Sequence, residues 1–290
     1  MKLETVKLTE VRKATPSVLF ARLEGGDPAI FEAHRLPGQT VRLKAGKAEA
    51  EIHLASQPAQ RHFELLVEKG TEIAEELVRL DPGADLQVSA PFGDGFPAFE
   101  YRGHDLYLVG HGAGLGTVRS AVLYVLTERD AFGKVELLAE ARFVDEIPFH
   151  DEFSAFQRAG VRVFQVIARA DSGKWKKGEQ AYVHDLLADL GLNASQSAVL
   201  ACGPDDMLKG VQGVLREARV PPEKVHLFRI ETAHVERSAE PERTRELLEK
   251  LSSEGLHGSG HQADAGDHSP SFELPSAQPR GTARAPYPRR

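Results

Sequence analysis

The chain has 290 residues, 41% of them apolar and 27% charged, and carries a formal net charge of −7. This length suits about two globular domains, and the negative charge argues against nucleic acid or an anionic membrane as a partner. The sequence has neither a run of about 18 apolar residues nor a secretory leader pattern, so we expect a cytoplasmic protein without membrane insertion.

The single cysteine, Cys202, limits the redox chemistry that the chain can carry by itself. One thiol excludes an internal disulfide, and an iron–sulfur cluster generally needs about four thiolate ligands. We therefore expect any iron–sulfur cluster to reside on another chain.

The first hundred residues contain short β-like runs separated by Gly and Pro. The runs lie at 17–23, 40–43, 51–54, 62–67 and 85–89, with one helical stretch at 72–80. Several short strands at turn-separated intervals are typical of an antiparallel barrel, which removes exposed sheet edges by closing on itself. We predict an antiparallel six-stranded β-barrel over residues 1–100.

Residues 101–233 change to an alternation of strands and helices. The strand-like runs lie at 106–109, 135–138, 161–167, 198–201 and 225–228, and helical patterns at 117–127, 151–159, 181–190 and 205–218 separate them. In the first of these helices, Val118, Ala121, Val122 and Val125 form one apolar face. This alternation predicts a Rossmann-like parallel α/β domain.

Residues 234–290 are rich in Gly, Ser, Pro and charge, apart from a possible helix at 240–251. This composition predicts a disordered tail. Its histidines, at positions 257, 261 and 268, lack a carboxylate or thiolate framework, so we predict no metal site.

A glycine-rich turn follows the first strand of the second domain. Gly110, Gly112, Gly114 and Gly116, followed by Thr117, lie between that strand and the amphipathic helix. Glycines let the backbone approach a pyrophosphate, and the free N–H groups and positive dipole end of a helix attract its charge. The strand–turn–helix context predicts nucleotide binding rather than a purely structural turn.

A second strand end has the same character. Cys202, Gly203, Pro204, Asp205 and Met207 follow the strand at 198–201 and begin a helix. In an open α/β sheet ligands bind beyond the carboxyl ends of strands, so this segment and the glycine-rich turn are expected to face one crevice. Taken alone, Cys202 is more typical of a small buried apolar residue.

Together these segments make the chain similar to the ferredoxin–NADP reductase superfamily, in which a flavin-binding barrel precedes a nicotinamide-nucleotide domain with a Cys-Gly-Pro-x-x-Met motif. Residues 202–207 match that motif in full, and Pro-Gly-Gln at 37–39 looks like the family's strand entry. The resemblance covers roughly residues 1–230. The stretches 68–72, 81–83 and 90–97 are most similar to the electron-transfer subunit of dihydroorotate dehydrogenase.

The resemblance implies an oxidoreductase that passes electrons from NAD(P)H through bound FAD to an unidentified acceptor protein or small molecule. It places Cys202 near the nicotinamide ring, and hydride transfer requires close positioning of the two rings rather than a general acid or base. We name Cys202 and His53 as catalytic candidates. The candidates for flavin contacts are Gln39, His53, Leu54, Ala55, Ser56, Gly70 and Thr71.

The sequence departs from the family pattern in two respects, and the first of them, together with the long C-terminal tail, favours a second hypothesis. Residues 50–53 are Ala-Glu-Ile-His where the family usually has Arg-x-Tyr-Ser, so the arginine that pairs with flavin phosphate is absent and Glu51 is added. The iron–sulfur cysteines of the dihydroorotate dehydrogenase subunit are also missing. The alternative is a non-enzymatic nucleotide-binding or scaffold subunit of a redox complex that has lost flavin binding. A dehydrogenase acting directly on an organic substrate is disfavoured, because no suitable catalytic set follows a strand.

The residues after the second strand of the α/β domain bear on nucleotide choice. Glu140 can accept a hydrogen bond from a ribose 2′-OH and repel a 2′-phosphate, which favours NAD. Arg142 favours NADP, and both residues are equally consistent with a solvated loop. We expect NAD rather than NADP.

Overall fold

The computed structural model describes residues 2–168 and 182–230 and contains two β-sheets, one in each half of the described chain. The predicted boundary near residue 100 falls in a single 3₁₀ turn, Ala98–Tyr101. The predicted tail from residue 234 onward, with its possible helix and its histidines, lies outside the described residues.

The first sheet has six antiparallel strands in the order β4-β3-β6-β1-β2-β5. Its elements are β1 (Leu3–Lys13), β2 (Val18–Glu24), α1 (Pro28–Glu32), β3 (Thr40–Ala45), β4 (Ala48–His53), β5 (Phe63–Glu68), α2 (Glu72–Arg79) and β6 (Asp85–Ser89). A bridge between Leu54 and Leu65 joins the two outer strands, so the sheet nearly closes. The prediction of an antiparallel six-stranded barrel is confirmed.

Alternating side chains fill the barrel. Val6 and Leu8 of β1, with Val41 and Leu43 of β3, point inward and are buried, while their neighbours along each strand are less so. The amphipathic helix α2 closes one opening of the barrel with Ile73, Ala74 and Leu77, which belong to the same apolar core. This rigid shell holds the strand ends that face the second domain.

The second sheet is parallel, with strand order β11-β10-β7-β8-β9. Its elements are β7 (Asp105–His111), α3 (Gly114–Leu126), β8 (Val135–Ala141), α4 (Phe153–Arg158), β9 (Arg162–Ile167), α5 (Val183–Asp189), β10 (Ser197–Gly203), α6 (Asp205–Glu217) and β11 (Val225–Arg229). Helix α3 packs on one face, and α5 and α6 pack on the other. The Rossmann-like α/β prediction is confirmed. Among the described residues, no helix has the length and apolar character needed to span a membrane.

A buried arginine joins the two sheets. Arg119 of α3 is only 8% exposed. Its guanidinium donates to Glu64 of the barrel at 2.6 Å, to both carboxylate oxygens of Glu152 at 2.6 and 2.8 Å, and to the Ala55 carbonyl at 3.1 Å. It also lies 4.4 Å from the centre of the Phe149 ring. These bonds reach three separate segments of the chain and fix the barrel against α3.

The negative charge of Glu64 in this cluster is stabilised by several neighbouring groups. Burial by itself would raise the pKa of Glu64, but hydrogen bonds from His62, Arg22 and Arg119 and the positive charge of Arg119 hold that pKa well below its usual range. Glu64 is therefore ionised at neutral pH. A buried ion of this kind is tolerated only while its partners remain in place.

Replacing Arg119 tests how much this cluster contributes to stability. We expect Arg119→Met to lower the free energy of unfolding by about 3 to 5 kcal/mol, because Glu152 then loses the cation that it pairs with and Glu64 keeps only Arg22 and His62. Arg102→Gln is the matched control, since Arg102 pairs with Glu128 at the surface and is expected to contribute less than about 1 kcal/mol. Urea denaturation of both variants measures the difference, and equal losses would contradict this account.

Candidate functional site

The two motif-bearing strand ends lie side by side. Strands β7 and β10 are adjacent and parallel, and their register pairs Gly110 with Cys202. The glycine-rich turn and the segment 202–207 therefore emerge at one edge of the sheet, where the carboxyl ends of parallel strands form a ligand-binding crevice.

The glycines of the turn permit close packing at this edge. A Cβ on Gly114 would overlap the carbonyl oxygen of Cys202 and lie 3.2 Å from its Sγ. A Cβ on Gly116 would lie 3.0 Å from the Cβ of Ala55, so α3 begins directly against the barrel. A Cβ on Gly110 would lie 2.8 Å from the Leu115 side chain. A Cβ on Gly203 would lie 2.5 Å from the side chain of Met207, which is buried in the first turn of α6.

Cys202 and His53, the two catalytic candidates, lie on opposite sides of one junction between the domains. The Sγ of Cys202 donates to Thr117 Oγ1 at 3.3 Å. A Cβ on Gly38 of the barrel would lie 3.5 Å from the Thr117 methyl group and 3.2 Å from the Phe228 ring. The His53 Nδ1 lies 3.2 Å from the Gly38 carbonyl oxygen. A short path of contacts thus runs from the cysteine to the histidine.

Both groups are uncharged at neutral pH. Burial raises the pKa of Cys202 to about 12, although the hydrogen bond to Thr117 opposes this. Burial lowers the pKa of His53, whose ring lies edge-on to the Phe228 ring with 5.4 Å between the centres. The Nδ1 of His53 is also 2.9 Å from Thr40 Oγ1. At neutral pH, Cys202 and His53 therefore bring an uncharged thiol and an uncharged aromatic ring to the junction.

The other predicted flavin contacts form the wall of this junction. Leu54, Ala55 and Ser56 are completely buried. The Ser56 carbonyl accepts from Ser120 Oγ at 2.6 Å, and its hydroxyl accepts from the Glu64 N–H at 3.2 Å. The side-chain oxygen of Gln39 accepts hydrogen bonds from the N–H groups of Arg35 and Leu36, which stabilises the turn that contains it. In this structure their polar groups are engaged within the protein.

The Lys-Gly-Thr turn comes next along the barrel. Gly70 has a φ of +84°, and Thr71 caps α2 by accepting from the Ala74 N–H at 3.3 Å. The residue before this turn, Glu68, places its carboxylate on the Ala113 N–H of the glycine-rich turn at 2.9 Å. Burial raises the pKa of Glu68, while this hydrogen bond opposes the rise. A barrel carboxylate therefore contacts the turn at which a phosphate was predicted.

The nucleotide side of the crevice carries several titratable groups. His111, within the glycine-rich turn, has a buried Nδ1 without a hydrogen-bond partner in the described part of the chain. Burial and the positive charge of Arg142 lower the pKa of His111 to about 4, although Asp206 opposes them. Arg142 itself is exposed, and Asp205 pairs with Arg229 at 3.2 Å. An orphaned imidazole nitrogen beside an exposed cation suits a polar, anionic ligand.

Glu140, the other nucleotide-choice candidate, is buried and accepts from the Val183 N–H at 2.6 Å. Burial raises the pKa of Glu140 to about 7. The nearby charges of Asp206 and Asp185 act in the same direction, and only the hydrogen bond opposes them. Its carboxyl group is thus partly protonated at neutral pH. It is hydrogen-bonded to the first residue of α5, Val183.

Comparison with known proteins agrees with this arrangement. The family model described as an oxidoreductase NAD-binding domain matches residues 108–213. Ferredoxin–NADP reductase B of Sorangium cellulosum is 30% identical over 240 residues, which cover 77% of this chain and 96% of that protein. The chain belongs to the ferredoxin–NADP reductase family.

Other relatives of this family member are subunits of larger enzymes. The sulfhydrogenase 1 subunit gamma of Pyrococcus furiosus is 29% identical over 230 residues, 77% of this chain and 78% of that subunit. Probable electron-transfer subunits of dihydroorotate dehydrogenase B are also relatives, in agreement with the resemblance found in the sequence. The fold matches a Neisseria gonorrhoeae ferredoxin NADP⁺ reductase solved with bound FAD and NADP. The TM-score is 0.64 at 19% identity, over 79% of this chain and 99% of that one.

Proteins of the ferredoxin–NADP reductase family use FAD and NAD(P)H, and the residues present fit these groups unequally. His53, Phe228, Thr117 and Cys202 suit the planar rings, because they offer aromatic faces and uncharged polar groups. The orphaned His111 nitrogen suits a nicotinamide nucleotide. The diphosphate end fits less well, because Glu68 already occupies a backbone N–H there.

Several residues of this site were not identified from the sequence. They are Glu68, His111, Arg119 and Phe228. Signals were present for two of them, since His111 lies between two glycines of the turn and Glu68 directly precedes Lys-Gly-Thr. Arg119 and Phe228 offered no local signal, because Glu64, a partner of Arg119, and His53, a partner of Phe228, come from the other domain.

Gly114→Ala tests the close approach of α3 to β10. The added methyl group overlaps the Cys202 carbonyl, so we expect a loss of about 1 to 3 kcal/mol in unfolding free energy and weaker nucleotide binding. Gly213→Ala on α6 is the control: a Cβ there meets nothing within 4 Å, and we expect it to stabilise the protein by up to about 1 kcal/mol. Thermal unfolding and nucleotide titration of both variants check this, and a harmless Gly114→Ala would contradict it.

Glu140→Gln tests the pH dependence of stability. Because the folded-state pKa of Glu140 is about 7 and therefore above its usual value of 4.5, the folded protein binds the extra proton and stability falls as pH rises between these values. We expect Glu140→Gln to be the more stable protein by about 2 kcal/mol at pH 8, with the difference disappearing near pH 4 to 5. Denaturation curves across this range measure it. The exposed control Glu217→Gln should show no such trend.

Proposed function

We propose that this chain oxidises NAD(P)H and passes the electrons through bound FAD to an acceptor on another protein or a small molecule. The observation that carries the proposal is the direct contact between the nucleotide edge of the second domain and the barrel. Thr117, hydrogen-bonded to Cys202, packs beside Gly38, to which His53 is bound. Two cofactor rings, one held by each domain, would meet only at such a junction.

The role of the protein in this reaction is positioning. FAD, when bound, would supply the redox chemistry between NAD(P)H and the acceptor. We assign His53 and Phe228 to the flavin ring and Cys202 with Thr117 to the nicotinamide ring. A thiol with a pKa of about 12 does not act as a nucleophile, so Cys202 contributes shape and a weak hydrogen bond. The buried wall of residues 54–56 keeps water from the reacting atoms.

The diphosphate and ribose contacts are assigned to backbone groups and to the crevice. Gly70 and Thr71 serve the flavin diphosphate, and the glycine-rich turn and the start of α6 at Asp205 serve the nicotinamide nucleotide. His111 and Arg142 extend this set. The Glu140 carboxylate already accepts a hydrogen bond from the Val183 N–H. The expected preference for NAD over NADP therefore requires that this carboxylate also accept a hydrogen bond from the ribose.

The acceptor is proposed to lie on a partner protein. Relatives include a hydrogenase subunit and electron-transfer subunits, which work beside other chains. With one cysteine, this chain offers too few thiolates for an iron–sulfur cluster of its own. The location of this reaction is expected to be the cytoplasm, where NAD(P)H is regenerated.

Spectroscopy of the purified chain tests the proposal. We expect added FAD to bind with a visible flavin spectrum and NADH to bleach it, because hydride transfer reduces the flavin. Cys202→Ala should slow this bleaching about tenfold while leaving FAD affinity unchanged, because it alters the placement of the nicotinamide ring. Arg102→Gln is the surface control and should match the wild type. Absence of flavin binding and of NADH oxidation would overturn the proposal.

A second candidate function is a nucleotide-binding scaffold subunit without turnover. It is favoured by the acidic character of the flavin phosphate end, where Glu51 pairs with Arg42 at 2.7 Å and Glu68 contacts the glycine-rich turn. Nucleotide binding without NADH consumption in the same experiment would support it. Steady NADH consumption with FAD would exclude it.

A further inference from the structure

Glu68 lies between the Lys-Gly-Thr turn and the glycine-rich turn, the two turns at which a phosphate was predicted to bind. It is the last residue of β5 and directly precedes the Lys-Gly-Thr turn. Its Oε1 accepts from the Ala113 N–H at 2.9 Å, and a Cβ added to Gly112 would lie 2.7 Å from the same oxygen. The carboxylate thus rests on the side-chain-free surface of the glycine-rich turn.

This is a position that favours an anion. Free N–H groups at the start of a helix bear partial positive charge and bind phosphate or carboxylate oxygens. Helix α3 has 13 residues and begins immediately after Ala113, and its cap residue has no side-chain cap of its own. The Glu68 oxygen therefore takes the hydrogen bond that an external phosphate oxygen would otherwise accept.

In the described part of the chain, one hydrogen bond favours the charge of Glu68. Burial and the nearby Glu146 raise its pKa, and the Ala113 N–H is the group that opposes them. The adjacent Lys69 directs its Nζ to the backbone carbonyls of Pro16 at 2.7 Å and Thr15 at 3.4 Å. The contact with the turn is thus the interaction that holds the carboxylate at this place.

We propose that Glu68 is the resident anion of the glycine-rich turn and that the diphosphate of a dinucleotide binds there only when this carboxylate leaves. Glu68 thereby determines how tightly the chain binds its dinucleotides. The inference rests on the proposed function, in which FAD and NAD(P)H bind at this junction. The shared chemistry is a diphosphate, and its source, flavin or nicotinamide dinucleotide, is distinguished by separate titrations.

The test compares wild type, Glu68→Gln and Glu75→Gln. Glutamine keeps an oxygen that accepts from the Ala113 N–H but removes the charge, so the fold is preserved. Glu75, exposed in the first turn of α2, controls for the loss of one nearby negative charge. Calorimetric titrations with FAD, with NADH and with riboflavin, which has no phosphate, measure the affinities. Thermal unfolding without ligand verifies that each variant is folded.

We expect Glu68→Gln to bind at least one dinucleotide about tenfold or more tightly, because the phosphate no longer competes with a charged group. Riboflavin affinity should not change, and Glu75→Gln should remain within about twofold of wild type. Equal or weaker binding of both dinucleotides by Glu68→Gln overturns the inference, as does an equal gain for riboflavin or for Glu75→Gln.

These outcomes separate the inference from the proposed function. If wild type binds FAD and oxidises NADH but Glu68→Gln behaves identically, the role of Glu68 is refuted and the function stands. If only Glu68→Gln binds dinucleotides, the role of Glu68 is supported and the proposed function of the native chain fails. If no variant binds either dinucleotide, both are refuted.

Discussion

The buried guanidinium of Arg119 is the interaction on which the arrangement of this protein depends. It joins a barrel strand through Glu64, the segment before α4 through Glu152, and the barrel wall through the Ala55 carbonyl. Removing one partner of a buried ion pair is strongly destabilising, so the cluster favours the arrangement in which Glu64, Glu152 and the Ala55 carbonyl all reach Arg119. The relative position of the domains, and hence of every group at their junction, follows from that geometry.

With the domains fixed in this way, the junction is lined by protein groups that satisfy one another. Ser56 is bound by Ser120, and the glycine-rich turn is bound by Glu68. Each contact offers the protein a partner of the kind that a ribose, a phosphate or a ring nitrogen would provide. Cofactor affinity in this family member is therefore a difference between external and internal hydrogen bonds, rather than a simple sum of contacts.

Much of the fold was predictable from local pattern. Turn-separated apolar runs indicated the barrel, and the change to alternating strands and helices indicated the parallel sheet. The first strand, Leu3–Lys13, was not recognised, because it carries five charged residues and only Val6 and Leu8 of its side chains are fully buried. Helix α1 was also missed, since five residues are too few to show a helical period.

The sequence by itself determined that the glycine-rich turn and the Cys202 segment share one edge, because parallel strands place their carboxyl ends together. Only the tertiary structure decided which side chains occupy that edge. Glu68 meets Ala113 across 45 residues, and Arg119 meets Glu64 across 55. Local periodicity records which face of an element is buried, but it contains no information about which side chain of another domain will be packed against that face.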